Sequence, residues 1–223
     1  ISLEIKNLDT IKNRNYLAGA KLDGERFFMF VTQVGSKNLT LLIDRTFTFY
    51  LVNQKWAHKN AYTKRILVDG ELTGDGTSGN YHVHDVFIVE GQNVMGKNFD
   101  TRLRIFKSFL KVDRWDSNCE KNSFSIDLKP FYKISCLNKL VKTDSFKHRS
   151  DGIVFYPVDE PVQRRTQFSL FKWKPPGFHT IDFKIKHNLG DLESGKLPDN
   201  EKATELITWD PKERKAVSYT HLR

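Results

Sequence analysis

Lys21-Leu22-Asp23-Gly24-Glu25-Arg26-Phe27-Phe28-Met29-Phe30-Val31-Thr32-Gln33 is the stretch on which the reading turns. It holds a lysine, an Asp-Gly pair of the kind that marks a tight turn, and then an aromatic and β-branched run. Arg26 to Gln33 reads as a strand. The small residues Ala18-Gly19-Ala20 precede the lysine. A lysine at a strand end beside a tight turn can be aimed into a cleft, although K-x-D-G by itself is more often structural than catalytic.

Outward from this stretch, Leu39 to Ile43, Thr46 to Val52, Arg65 to Leu72, Tyr81 to Val89, Gly152 to Tyr156 and Phe168 to Lys174 also read as strands. Asp100 to Leu110 is the better helix, with apolar residues at 103, 106 and 110 and basic ones between, expected to form a solvated face. Strands dominate and do not alternate regularly with helices. The expected class is therefore α+β on antiparallel sheet, not a doubly wound fold. After Lys186 the composition turns polar and turn-rich, so residues 1–186 are expected to form one domain. Residues 187–223 are expected to be a linker or the truncated start of another domain. The closing SYTHLR resembles translated cloning or adapter sequence and is set aside, and the absence of an initial Met suggests a piece of a longer chain.

Composition narrows the partners. In 223 residues, 36 Lys and Arg face 27 Asp and Glu, a formal charge of +9, which favours polyanions such as nucleic acid or nucleotides. A soluble lysine-rich surface would explain the charge equally well. Cys119 and Cys136 lie too far apart for a Cys-x-x-Cys pair and lack His at metal-ligand spacing, so neither a disulfide framework nor zinc is expected, and a reducing compartment fits. No run approaches the ~18–20 apolar residues of a membrane span.

The lysine motif has company. Asp69-Gly70-Glu71 ends an apolar run and is followed by Tyr81-His82-Val83-His84-Asp85-Val86-Phe87, and Asp151-Gly152 opens another apolar run. Three acidic turns could set carboxylates around one cleft, where a hard cation takes oxygen ligands. In Leu170-Phe171-Lys172-Trp173-Lys174-Pro175-Pro176, strand alternation puts Lys172 and Lys174 on one face. Two cations facing one way suit a phosphate, though alone this segment is better read as a strand with a solvated basic face and a core aromatic face.

Together and in this order, these segments resemble the covalent nucleotidyltransferase superfamily of polynucleotide ligases and mRNA-capping enzymes. K-L-D-G-E-R at 21–26 resembles motif I, V-D-G-E-L at 68–72 motif III, and Y-H-V-H-D-V-F at 81–87 motif IIIa. S-D-G-I-V-F at 150–155 resembles motif IV, and L-F-K-W-K-P-P at 170–176 motif V. The implied fold is the antiparallel-sheet nucleotidyltransferase domain of the DNA ligase and mRNA-capping enzyme type. Ile43-Asp44-Arg45, the stretch from Tyr81 to Arg104, and Thr180-Ile181-Asp182-Phe183-Lys184 after W-K-P-P are similar to the capping branch, whereas motif I is equally similar to that of ligases.

The resemblance implies an mRNA guanylyltransferase in which Lys21 attacks GTP and forms a lysyl-GMP. GMP then passes to the 5′-diphosphate end of RNA. A free lysine, pKa about 10.4, would need its proton held less tightly to act so at neutral pH. The resemblance also implies that Arg26, Asp44, Arg45, Glu71, His84, Lys172 and Lys174 bind the nucleotide. Glu71 and Asp151 would hold Mg²⁺ or Mn²⁺. His84 stands where the family usually places an aromatic base-stacking residue; Tyr81 or Phe87 could compensate, although Phe87 is equally well read as plain core. Partners implied are GTP and 5′-diphosphate RNA, with RNA triphosphatase and methyltransferase modules fused or associated, in nucleus or cytoplasm or in a virus, and no membrane. An ATP-dependent RNA or DNA ligase and a catalytically inactive RNA-binding relative stay open as alternatives.

Overall fold

Phe27, Met29 and Val31 alternate inward along one strand, 7%, 0% and 0% exposed, as period-two patterning requires. In the computed structural model that describes residues 1–56, 60–74, 79–112, 124–142, 150–175, 184–187, 204–210 and 215–219, this strand is central to the larger of the two sheets within residues 1–175. In chain order the elements are α1 (Leu8–Asn13), β1 (Tyr16–Leu22), β2 (Glu25–Val34), β3 (Lys37–Ile43), β4 (Phe49–Val52), α2 (Asn60–Thr63), β5 (Ile66–Gly74), β6 (Gly79–Val89), β7 (Gln92–Asn93) and α3 (Phe99–Val112). There follow β8 (Ser125–Leu128), β9 (Tyr132–Lys133), α4 (Leu137–Lys142), β10 (Ser150–Pro157), β11 (Phe171–Trp173), β12 (Lys184–His187), β13 (Thr204–Asp210) and β14 (Lys215–Tyr219).

The larger sheet runs β4-β3-β2-β5-β6-β7, with β8 added in parallel to β6. The smaller runs β11-β10-β1-β9, all antiparallel. The α+β, largely antiparallel class expected from sequence is what forms. Asp23-Gly24 is a turn, yet not a hairpin: it hands the chain from β1 in one sheet to β2 in the other.

Helix α3 joins the sheets. Phe106 and Phe109 enter the core over the large sheet, while Phe99 and Leu103 pack with Val154 and Tyr156 of β10. Phe99 stacks on Tyr156 with centroids 5.1 Å apart and planes 6° from parallel. Arg104 and Lys107 form the solvated face, but Arg102 does not. It is 3% exposed and grips Asp85 through Nε at 2.7 Å and Nη2 at 2.8 Å. A guanidinium can be buried when a carboxylate meets it in bidentate geometry.

Two further expectations are corrected. Asp69-Gly70-Glu71 and Asp151-Gly152 are not turns but lie inside β5 and β10. Tyr81 is fully buried and donates its hydroxyl to Phe27 O at 2.8 Å. Its ring lies so close over Gly70 that a Cβ there would meet it at 2.5 Å, so it cannot serve a ligand.

The chain divides into two compact units, Ile1–Pro175 and Pro176–Arg223. In the second, β12, β13 and β14 form an antiparallel three-stranded sheet, so strand structure occurs where a linker was one expectation. Ser218 and Tyr219, part of the closing segment set aside above, belong to β14. Cys119 and residues 180–183 lie outside the described residues. Among the described residues, no helix is long and apolar enough to cross a membrane.

Candidate active site

Because Asp23-Gly24 passes the chain between sheets, Lys21 and Arg26 rise from opposite walls of one cleft. Lys21, Arg26, Arg45, Glu71, His84 and Lys172 all line a cavity of about 620 Å³. The small sheet contributes Lys21 and Lys172, and the large sheet contributes Arg26, Glu71 and His84.

Lys21 pairs with Gly152 across β1 and β10, but Leu22 then pairs with Ser150, so Asp151 is the extra residue of a β-bulge. A bulge re-aims the side chain it carries. Asp151 Oδ1 lies 2.6 Å from Lys21 Nζ and Oδ2 lies 2.6 Å from Lys174 Nζ. One carboxylate thus spans two lysines. Burial pushes the Asp151 carboxyl up, but hydrogen bonds from Lys174 and Lys21 outweigh it and hold the group below its ordinary range. Lys172 is lowered, first by lost hydration and then by the charges of Lys21, Arg26 and Arg45.

On the opposite wall, Asp69 is 5% exposed and holds two partners. Arg26 Nε donates to its Oδ1 at 2.8 Å, and His84 Nε2 lies 3.3 Å from the same oxygen. Burial raises the Asp69 carboxyl, but His84 and Arg26 bring it down to about 2. Glu71 Oε1 accepts from Gly24 N at 3.2 Å, tying β5 to the sheet-crossing turn.

Strand β6 explains which side chains reach the cleft. Its pairing with β5 steps from Val68 and Val86 to Leu67 and Ile88, and from Asp69 and Asp85 to Gly70 and Val83. Phe87 and His84 are therefore bulged, and His84, Asp85 and Phe87 all line the cavity where strict alternation would separate them. Phe87 leans on Phe28 with centroids 5.6 Å apart, and Arg26 lies over Phe28 at 5.5 Å.

Asp44 stands apart. Its Oδ1 accepts from Thr46 N, Thr46 Oγ1 and Thr48 N at 2.8, 2.7 and 2.9 Å, and Tyr50 OH donates to Oδ2 at 3.1 Å. These bonds hold its carboxyl below the ordinary range. The turn consumes this carboxylate, and Arg45 beside it reaches the cleft.

Sequence reasoning missed Lys129. It is 3% exposed, donates to Tyr156 OH at 3.3 Å and lines the cleft. Desolvation lowers it to about 8, with Lys21 and Lys172 adding to that effect and Glu71 opposing it. Lys129 follows β8, a strand no periodic run announced, so only an unpaired lysine in an apolar context could have signalled it.

As a metal site, Glu71 and Asp151 offer hard oxygen donors. Among the described residues, no group of three or more His, Cys, Asp or Glu forms a ready cage. That set fits Mg²⁺ in kind, since this ion commonly takes one or two carboxylates and fills its remaining positions with water and substrate phosphate.

The mRNA-capping enzyme of Danio rerio is 27% identical over 202 residues, covering 83% of this chain and 33% of that protein. The mRNA-capping enzyme subunit alpha of Schizosaccharomyces pombe is 30% identical over 221 residues, 88% of this chain and 54% of that protein. The chain thus spans between a third and about half of these relatives. Among solved structures, a Chlorella virus DNA ligase-adenylate superposes with a TM-score of 0.50 at 16% identity, covering 98% of this chain and 81% of the ligase, a likeness of fold alone. Residues 1–176, which hold both sheets and the lysine-carboxylate cluster, match the family described as mRNA capping enzyme, catalytic domain, and the chain belongs to that family.

Proposed function

We propose that the chain is a GTP:mRNA guanylyltransferase, with Lys21 as nucleophile. The observation that carries this reading is Asp151 spanning Lys21 and Lys174 at 2.6 Å each, at the edge of a cleft lined by further cations. In the first half-reaction Lys21 Nζ, having shed a proton, bonds to the α-phosphorus of GTP, and the bond to the β-bridging oxygen breaks with pyrophosphate as leaving group. In the second, a terminal β-phosphate oxygen of 5′-diphosphate RNA bonds to the same phosphorus. The P–N bond then breaks, and Lys21 is restored.

Each neighbour has a task. Asp151, held below the ordinary carboxylate range, is a weak base, so its task is to orient Lys21 and Lys174. Triphosphate oxygens entering the cleft compete with Asp151 for Lys174 and meet Lys172, spreading positive charge over the phosphorus under attack. Mg²⁺ or Mn²⁺ held by Glu71 and Asp151 would neutralise phosphate charge there. Arg26 is fixed by Asp69, presenting the rest of its guanidinium surface to the nucleotide. Arg45 adds a second guanidinium, which Asp44 positions through the turn. Phe87 is the base platform, and His84 borders it. Lys129 can only donate, which suits phosphate oxygens or the O6 and N7 edge of guanine and not the amino group of adenine.

The three-stranded sheet of the second unit supports reading residues 187–223, with β12 before them, as the opening of a closing domain of OB type. GTP and 5′-diphosphate RNA are the proposed substrates. RNA triphosphatase and methyltransferase modules are the proposed associates, in the nucleus, the cytoplasm or a virus.

The test is incubation with Mg²⁺ and GTP or ATP radiolabelled at the α-phosphate, followed by denaturing electrophoresis. Covalent label from GTP that disappears in Lys21→Ala is expected. Label from ATP alone would reassign the chain to ligation, and label surviving in Lys21→Ala would remove Lys21 as nucleophile.

A further inference from the structure

Beside the nucleotide cleft lies a second pocket, of about 210 Å³, lined by Arg26, Phe28, Ile43, Asp44, Arg45 and Phe47. Arg26 and Arg45 border both cavities. Phe47 is 72% exposed. Its backbone is also in the left-handed region, φ +61°, which bulky residues seldom adopt. The turn holds it there: Phe47 N donates to Asp44 O at 3.1 Å, and Asp44 N donates to Thr48 O at 3.1 Å. The Asp44 carboxylate locks the same turn from within. A ring fixed in this way is a preorganised platform rather than a loose surface side chain.

We propose that this pocket is the acceptor subsite, which takes the 5′-terminal nucleoside of the RNA. The inference rests on the guanylyltransferase reading and adds where the second substrate sits. Phe47 would stack the first base, with Phe28 and Ile43 as the apolar floor. Arg45, bordering both cavities, would receive the 5′-diphosphate and direct its end toward the nucleotide cleft. Stacking on an aromatic face accepts any base, and guanidinium groups suit phosphate. The pairing of one apolar platform with one cationic border matches a nucleoside carrying phosphates better than it matches a purely apolar protein segment.

The test uses the 223-residue chain and a short 3′-fluorescein RNA ending in a 5′-diphosphate, read by fluorescence anisotropy. Phe47→Ala is expected to weaken binding about tenfold, the scale of one lost base stack, while Phe47→Tyr binds as wild type. Both variants keep wild-type labelling from GTP. The same RNA with a 5′-hydroxyl is expected to bind more weakly and to ignore Phe47. Unchanged binding in Phe47→Ala overturns the proposal and leaves the patch to a protein partner. Equal losses for both RNAs overturn the end-specific placement. Loss of GTP labelling in Phe47→Ala also overturns it, by assigning Phe47 to the nucleotide site or the fold. Absence of GTP labelling in wild type, with Phe47-dependent RNA binding intact, would sink the guanylyltransferase reading and leave an RNA-end site standing.

Discussion

Lys21 and Asp151 sit 2.6 Å apart because β10 bulges at Asp151 and turns a carboxylate toward β1 that regular pairing would have left one step away. The other oxygen of that carboxylate holds Lys174, so removing its charge releases two cations at once. Asp151→Asn is expected to lower GTP labelling by about a hundredfold or more, the scale of a misplaced nucleophile. The sign of the pH effect follows from the depressed carboxyl. Its pairing is present above the unfolded value of about 3.9 and is lost only as pH falls through the lower folded one. Asp151 should therefore contribute no inflection to a labelling profile between about pH 5 and 8. An acid limb in that window that vanishes in Asp151→Asn would contradict this.

Gly152 lets β11 lie close against β10 for a steric reason. A Cβ there would lie 2.0 Å from Trp173 O, a backbone atom of β11 that cannot step aside without parting the strands. Gly152→Ala is expected to cost about 2–4 kcal/mol of stability by urea unfolding and to misplace Lys174 with it. Gly96 has open space around the position of a Cβ, and Gly96→Ala should stay within about 0.5 kcal/mol of wild type. Equal effects at the two positions would show that β11 can move freely.

Much of the fold was readable because its strands carry aromatic, β-branched and other apolar residues in alternation, as Phe27, Met29 and Val31 do. β1 was not: Ala18-Gly19-Ala20 has no strand signature, and it is a strand because β10 and β9 pair with it on either side. The candidate residues were legible as motifs but not as geometry. Asp-Gly pairs look like turns, and only cross-strand register shows that Asp69 and Asp151 lie within strands, one held by Arg26 and His84 and the other by two lysines. The burial of Arg102 was equally hidden, since its partner Asp85 lies 17 residues away.

The two aromatic residues proposed to compensate for His84 part company in the structure, and their variants should do the same. Phe87, bulged into the cleft beside Phe28, is expected on truncation to Ala to raise the KM for GTP about tenfold, one base stack. Tyr81, buried with its hydroxyl on Phe27 O, is expected as Tyr81→Phe to lose about 1 kcal/mol of stability and to leave the KM unchanged. A KM effect in Tyr81→Phe with none in Phe87→Ala would reverse the assignment.

Lys129 supplies the clearest linkage between the cleft and stability. Its folded value is lowered to about 8, from 10.5, so between those two pH values the unfolded chain binds more protons than the folded one. Stability must then rise with pH across that window. Below about pH 8 the lysine is charged in both states, and the full cost of burying it applies. Above about 10.5 it is neutral in both, and the cost is gone. The difference is on the order of 3 to 4 kcal/mol. Lys129→Met removes the titrating group while keeping an unbranched side chain in place. The variant should melt above wild type at pH 7.5, with the gap closing as pH approaches 10. Thermal unfolding of both proteins across this range reads the effect, and the difference between them cancels the titration of lysines remote from Lys129. A gap that does not change with pH would mean that Lys129 keeps its proton in the folded chain, its charge sustained by Glu71.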